Sequence, residues 1–155
     1  MIDLPFDKSW RNVAVSVSGG CDSALLTYLL SKKIIDNNSS TIIHVINNIR
    51  CWKTKPWQQD DFRRVLTKLR QLFPSIIILE HTNFVPPELE WGSNGRTIID
   101  EYGKLVSGDT LELRSFAEFV CIKNKCEAYY NGVTRNPKNV DFKGMETRDI
   151  DRTED

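Results

Sequence analysis

Val13-Ala14-Val15-Ser16-Val17-Ser18-Gly19-Gly20-Cys21-Asp22-Ser23 decides the fold. Val13 to Val17 is a short β-branched run that stops at two glycines, the pattern of a buried strand entering a sharp turn. From Asp22 to about Lys33 the chain is rich in Ala and Leu. Asp22 and Ser23 suit a helix start, and Lys32-Lys33 suit its end. A strand, a glycine turn and a helix in that order gather backbone N–H groups and a positive helix end around one point, which makes an anion site. Ser18 and Ser23 add hydroxyl donors. The loop lacks the GK[ST] ending of a Walker A motif and the GxGxxG of a dinucleotide fingerprint.

Outward from this unit, the turn-forming Asp36-Asn37-Asn38-Ser39-Ser40 precedes a second buried strand, Thr41 to Ile46. Pro56 opens a helix whose apolar positions Phe62, Val65, Leu66 and Leu69 share one face; Arg63, Arg64, Lys68 and Arg70 lie largely off it. Pro74 ends that helix, and Ser75 to Leu79 supplies strand three. Between Glu80 and Ser107 the pattern weakens, which makes this the expected lid or substrate loop; Ile98, Ile99 and Tyr102 are placed on a short helix within it. Asp109 and Glu112 resemble a capping box ahead of a helix with Leu113, Phe116, Ala117 and Val120 on its apolar face. Ala128-Tyr129-Tyr130 follows as strand four, with Asn131-Gly132 as its terminal turn. Strands alternating with helices imply right-handed crossovers and an α/β three-layer sandwich around a mainly parallel, twisted sheet, with ligands at the carboxyl ends of the strands.

The 155 residues suit one domain, read as residues 1–137, followed by a charged tail, 138–155, expected to be extended or mobile. Basic and acidic residues balance at 21 each, so no overall field gathers nucleic acid and no nucleic-acid partner is expected. The start has no basic and apolar leader, and no apolar run is long enough to span a bilayer, so a cytoplasmic protein without a membrane partner is expected. Cys21, Cys51, Cys121 and Cys126 form no CxxC pair, and His44 and His81 are not spaced as partners for them; reduced thiols are expected rather than a zinc site. Cys121 and Cys126 lie five apart on a helix, hence on different faces.

Every fixed position of SGGxDS is present in Ser18 to Ser23, and with its strand the segment resembles the N-type ATP pyrophosphatases, the PP-loop superfamily of HUP or Rossmann-like, adenine nucleotide alpha-hydrolase-like proteins. That superfamily includes GMP, NAD, asparagine and argininosuccinate synthetases, tRNA thiolation and lysidine enzymes, 7-cyano-7-deazaguanine synthase and phosphoadenylylsulfate reductases. The resemblance is specific over Val13 to Leu30 and architectural beyond. It implies ATP and Mg²⁺ as cofactors, cleavage of ATP to AMP and pyrophosphate, and an adenylated small-molecule acceptor. It assigns Ser18, Asp22 and Ser23 to catalysis. Ser18, Gly19, Gly20, Cys21, Asp22 and Ser23 hold the nucleotide, together with Ile46 and Asn47 at the end of strand two and Asn131, Gly132 and Thr134 after strand four. Asp22 is either the Mg²⁺ ligand or a cap holding loop N–H groups, and Cys21 fills the variable position as a packed thiol.

Other residues divide between function and packing. Arg50, Trp52, Lys53, Lys55 and Trp57 either flank the nucleotide or form a solvated helix entry with tryptophans closing the core. Asn131-Gly132 is either a nucleotide contact or a simple turn, and Arg114 either a phosphate partner or an exposed arginine. Relatives of this type carry more chain after strand four, so a second copy, a partner subunit or further chain beyond this sequence is expected to complete the acceptor wall. A phosphoadenylylsulfate-reductase-like enzyme and a non-catalytic nucleotide-binding module remain the alternatives.

Overall fold

In the computed structural model, residues 4–50, 56–86, 97–99, 103 and 105–132 are described. The leading strand β1 (Asn12–Ser16) runs into helix α1 (Cys21–Asp36), followed by β2 (Ile42–Ile49), α2 (Gln58–Leu72) and β3 (Ile78–Phe84). A short antiparallel pair, β4 (Thr97–Ile99) and β5 (Leu105–Ser107), precedes α3 (Gly108–Asn124) and β6 (Ala128–Tyr130). The main sheet is parallel throughout, in the order β3-β2-β1-β6. The second crossover direction begins after β3, so the sheet's reversal point lies between β1 and β6.

Because side chains alternate across a strand, the central strands bury both faces. Val13, Val15, Ile43, Val45 and Ile78 pack with Leu30 and Ile34 of α1 and with Phe62, Leu66 and Leu69 of α2. Ala14 and Ile46 face Ala117 and Val120 of α3. Helices therefore cover both sides of the sheet, which is the three-layer α/β arrangement expected. The inward face of α1 carries Ser23, Thr27 and Ser31 among its buried residues. Their burial is tolerated because Thr27 Oγ1 donates to the Ser23 carbonyl and Ser31 Oγ to the Thr27 carbonyl, each at 2.8 Å.

Four details differ from the sequence reading. Strand two continues past Ile46 to Ile49, because Asn47, Asn48 and Ile49 stay in register with Thr82, Asn83 and Phe84 of β3. Strand three starts later, at Ile78, since Ser75 and Ile76 close the turn after α2, with the Ile76 N–H on the Phe73 carbonyl. Ile98 and Ile99 are in a strand, where the β-branched Thr97-Ile98-Ile99 pairs with Leu105-Val106-Ser107; Tyr102 lies outside the described residues. Finally, α3 begins at Gly108, ahead of Asp109, and the Glu112 carboxylate accepts from Asn83 Nδ2 at 2.9 Å, tying α3 to β3.

The end of α3 also departs from expectation. Lys125 takes a left-handed turn with φ 51°, the Lys125 N–H bonds the Ile122 carbonyl and the Cys126 N–H bonds the Cys121 carbonyl. This is a Schellman termination, which folds the residue after the turn back onto the last helical turn. Cys126 is thereby brought against Cys121, and their thiols hydrogen-bond instead of lying on separate faces. Burial raises both, with the Cys126 thiol pushed up to about 12.

Candidate functional site

At the carboxyl end of β1 the Val17 N–H takes the Ile46 carbonyl at 2.8 Å, and the chain then leaves the sheet. Gly19 turns it with φ 86°, a conformation that L side chains rarely adopt. A Cβ there would lie 2.8 Å from the Phe62 nitrogen and 2.9 Å from Asp61 Cβ. The loop is thus pressed against the first turn of α2, and Gly19 is required both by conformation and by space. Gly20 differs: it is extended, at φ −79° and ψ 164°, and an added Cβ would meet only Ser18 Oγ, at 3.5 Å.

Gly20 is the N-cap of α1, with its carbonyl accepting the Ala24 N–H at 3.1 Å. Ser23 closes the loop from inside. Buried, its hydroxyl donates to the Gly20 carbonyl at 3.1 Å and accepts the Ser18 N–H at 3.2 Å. Ser18 is exposed and its Oγ accepts the Gly20 N–H at 3.4 Å. Among the described residues, the N–H groups of Gly19, Cys21, Asp22 and Ser23 have no partner. Those of a helix's first turn are free by construction, and here they and the helix dipole face the loop's mouth.

Asp22 and Cys21 are exposed beside that mouth. Asp22 stands in the first turn of α1, and the hydrogen bonds that close the loop are made by Ser23. Gly132, following β6, closes the opposite wall. A Cβ on it would stand 3.3 Å from the Ser23 nitrogen and Cα, so the end of β6 abuts the start of α1 directly. Asn131 is exposed next to it, and Thr134 lies outside the described residues.

Ile46 is not the last residue of strand two, which runs on to Ile49, but it lies beside the base of the loop. Its side chain is fully buried toward α3 and its carbonyl is held by Val17. The strand end is Ile49, where Gln58 of α2 donates to the Asn48 carbonyl at 3.0 Å and accepts the Arg50 N–H at 3.2 Å. The buried Gln58 amide stands in for a neighbouring strand there. No sequence signal distinguished it from any other glutamine in a first helical turn. Asn47 and Asn48 are buried with unpartnered amide groups. Trp57, the N-cap of α2, is 58% exposed and closes no core; Trp52, Lys53 and Lys55 lie outside the described residues.

On the α3 side, Ser16 Oγ and the Tyr129 hydroxyl are 2.7 Å apart, and burial raises the phenol's pKa. Nearer the amino ends of the strands, His44 Nε2 bonds Asn12 Oδ1 at 3.0 Å and His44 Nδ1 bonds His81 Nε2 at 2.9 Å. With the Asn12 oxygen accepting, His44 carries its proton on Nε2 and receives one from His81. Burial lowers both pKa values, reinforced for His81 by Lys123. Among the described residues no three His, Cys, Asp or Glu side chains gather as a metal site, and no helix is long and apolar enough to cross a membrane.

No protein-family model matches the chain, and no curated protein matches it significantly. Among solved structures, the chain is similar to the U34-tRNA thiolase NcsA from Methanococcus maripaludis with its [4Fe-4S] cluster, at TM-score 0.51 and 18% identity over 80% of this chain. The match spans only 38% of that protein. A universal stress protein in complex with cAMP aligns over 51% of this chain and 64% of its own, at 13% identity and TM-score 0.34, too low to bear on the argument. The thiolase likeness is one of fold.

Proposed function

We propose that this chain is a PP-loop protein that binds ATP at the Ser18–Ser23 loop and cleaves it to AMP and pyrophosphate, adenylating a small-molecule acceptor. One observation carries this reading. Gly19, the free N–H groups at the start of α1, and Gly132 converge at the carboxyl ends of β1 and β6, beside an SGGxDS sequence with no Walker lysine. This is where an open α/β sheet places its ligand. The fold shared with the tRNA thiolase supports the reading.

In the proposed reaction an acceptor oxygen attacks the α-phosphorus, the bond to the β-phosphate oxygen breaks, and pyrophosphate leaves. A nucleophile then displaces AMP from the adenylated acceptor. The free N–H groups of α1 hold the departing phosphates, and the Ser18 hydroxyl is exposed beside them. Asp22, exposed in the first turn of α1, would hold Mg²⁺, which would supply neutralising charge to the phosphates. Ser23 shapes the loop, since its hydroxyl is engaged within it. Among the described residues Cys121 and Cys126 stand together without a third His, Cys, Asp or Glu beside them.

The balanced net charge supports a small-molecule acceptor over an RNA. The test is incubation with α-labelled ATP and Mg²⁺, with metabolite pools or with tRNA. AMP and pyrophosphate, stimulated by a metabolite fraction, are expected. ADP and inorganic phosphate as the products would overturn the cleavage site, and stimulation by tRNA alone would overturn the acceptor class.

A further inference from the structure

The loop has one deficiency as a triphosphate site: neither Ser18 to Ser23 nor Asn131-Gly132 carries a cation. N–H groups and a helix dipole supply partial charges, whereas the β and γ phosphates of ATP bear most of its negative charge. We infer that Arg64 of α2 supplies the missing cationic donors, reaching the outer phosphates over the edge of the glycine loop. The inference rests on the ATP-binding reading above and adds a residue to it.

The geometry runs through two contacts. Gly19 is pressed against Asp61, to the extent that a Cβ on the glycine would fall 2.9 Å from Asp61 Cβ. The Asp61 carboxylate in turn holds Arg64 Nη2 in an i, i+3 ion pair. Side chains of a helix lean toward its amino end, and in α2 that end lies at the loop. Arg64 therefore points back toward Gly19 rather than away from it, and Asp61 fixes that direction.

Arg64 also has the donors to spare. Asp61 engages Nη2, while a guanidinium carries five N–H groups in a fixed fork suited to phosphate oxygens. Arg64 is 76% exposed, so its charge is accessible and its worth to the fold as a surface ion pair is small. Asp61 acts as a positioning residue; its own charge, which by itself would repel phosphate beside Gly19, is matched by Arg64. Arg63, the preceding residue on the same helix, is exposed and serves as the comparison for charge alone.

The experiment measures the affinity of the full chain and of Arg64→Ala, Arg64→Lys and Arg63→Ala for ATP, for inorganic pyrophosphate and for AMP, by calorimetry with Mg²⁺. For Arg64→Ala, losses of about tenfold for ATP and pyrophosphate with AMP unchanged are expected, the effect of one charge-assisted contact. Arg64→Lys should recover part of the loss, and Arg63→Ala should match the parent. Equal affinities in Arg64→Ala and the parent would overturn the inference while leaving the ATP reading in place. An equal loss in Arg63→Ala, or a parallel loss for AMP, would overturn it as well, by reducing the effect to general charge or to a damaged loop. A parent chain that binds neither ATP nor pyrophosphate would remove the reading itself and the inference with it. Unchanged unfolding midpoints in the variants confirm that the fold is intact.

Discussion

Replacing Gly19 by alanine is expected to destabilise the whole domain, whereas the same change at Gly20 is expected to leave it nearly unaffected. Two terms act at Gly19. Holding a residue with a Cβ at φ 86° costs roughly 1–2 kcal/mol. The methyl would also press on the Phe62 nitrogen, the Asp61 carbonyl carbon and Asp61 Cβ, all within 3.0 Å and mostly backbone, so α2 must move. Overpacking of that kind costs about 1–3 kcal/mol, for a total of about 2–5 kcal/mol. At Gly20 the backbone is already extended and the nearest atom is a serine hydroxyl at 3.5 Å. There the poorer N-cap and the less flexible unfolded chain offset each other to within about 1 kcal/mol. Urea titration followed by tryptophan fluorescence reads both variants against the parent, and a domain of this size should lose roughly 4–20 °C of Tm in Gly19→Ala. Equal midpoints for Gly19→Ala and Gly20→Ala would refute the reasoning, because it rests on the different surroundings of two adjacent glycines.

Gly20→Val is expected to fold and to lose ATP binding, checked by calorimetry beside an unfolding curve; full affinity in a folded variant would remove the loop as the nucleotide site. Stability should fall as the pH drops below about 6.5, since His44 and His81 both sit below that ordinary value in the folded chain. The unfolded chain then takes up protons that the folded one resists, so stability is full above that pH and is lost on acidification toward the folded pKa values. Urea midpoints at about pH 7.5 and 5.5, with a His44→Gln comparison, test this, and a flat profile in the parent would contradict it. Asp7 and Glu127, both lowered by hydrogen bonds to backbone N–H groups, act only at and below the carboxylate range. In a Cys51→Ser background a maleimide should label exposed Cys21 at least about ten times faster than Cys121 or Cys126, whose thiols are raised by burial. Comparable rates at all three would show that the pair is open to solvent.

What the sequence revealed depended on how local the determining interaction was. The strand, loop and helix from Val13 to Leu30 were legible because glycine, β-branched residues and a helical start follow one another within a single unit. The buried face of α2 was legible from Phe62, Leu66 and Leu69, whose spacing leaves little choice. Boundaries set by distant partners were not: β2 reaches Ile49 only because β3 lies beside it, and no feature of Asn47-Asn48 announces that. Helical periodicity separated Cys121 from Cys126, yet the left-handed Lys125 reverses the chain and joins them. At the site, SGGxDS identified the loop, while the contacts of Gly19 with α2, of Gly132 with α1, and of Gln58 with the end of β2 are tertiary and leave no mark on neighbouring residues.

The abutment of Gly132 on the start of α1 has a consequence for the order in which the chain is made. The loop, α1, β2, α2 and β3 are all translated by Phe84, but β6, which ends at Tyr130 just before Gly132, is complete only after a further 46 residues, from Phe84 to Tyr130. At about 5–20 residues per second that interval is roughly 2–9 seconds on the ribosome. Throughout it β1, destined for the middle of the sheet, presents an unpaired edge, and a nascent chain in that condition is open to mispairing with its neighbours. The glycine loop lacks its Gly132 wall for the same interval. Arrival of β6 therefore closes the sheet and completes the pocket in one event, so a ribosome-stalled chain ending before Ala128 should recruit chaperones and retain no nucleotide.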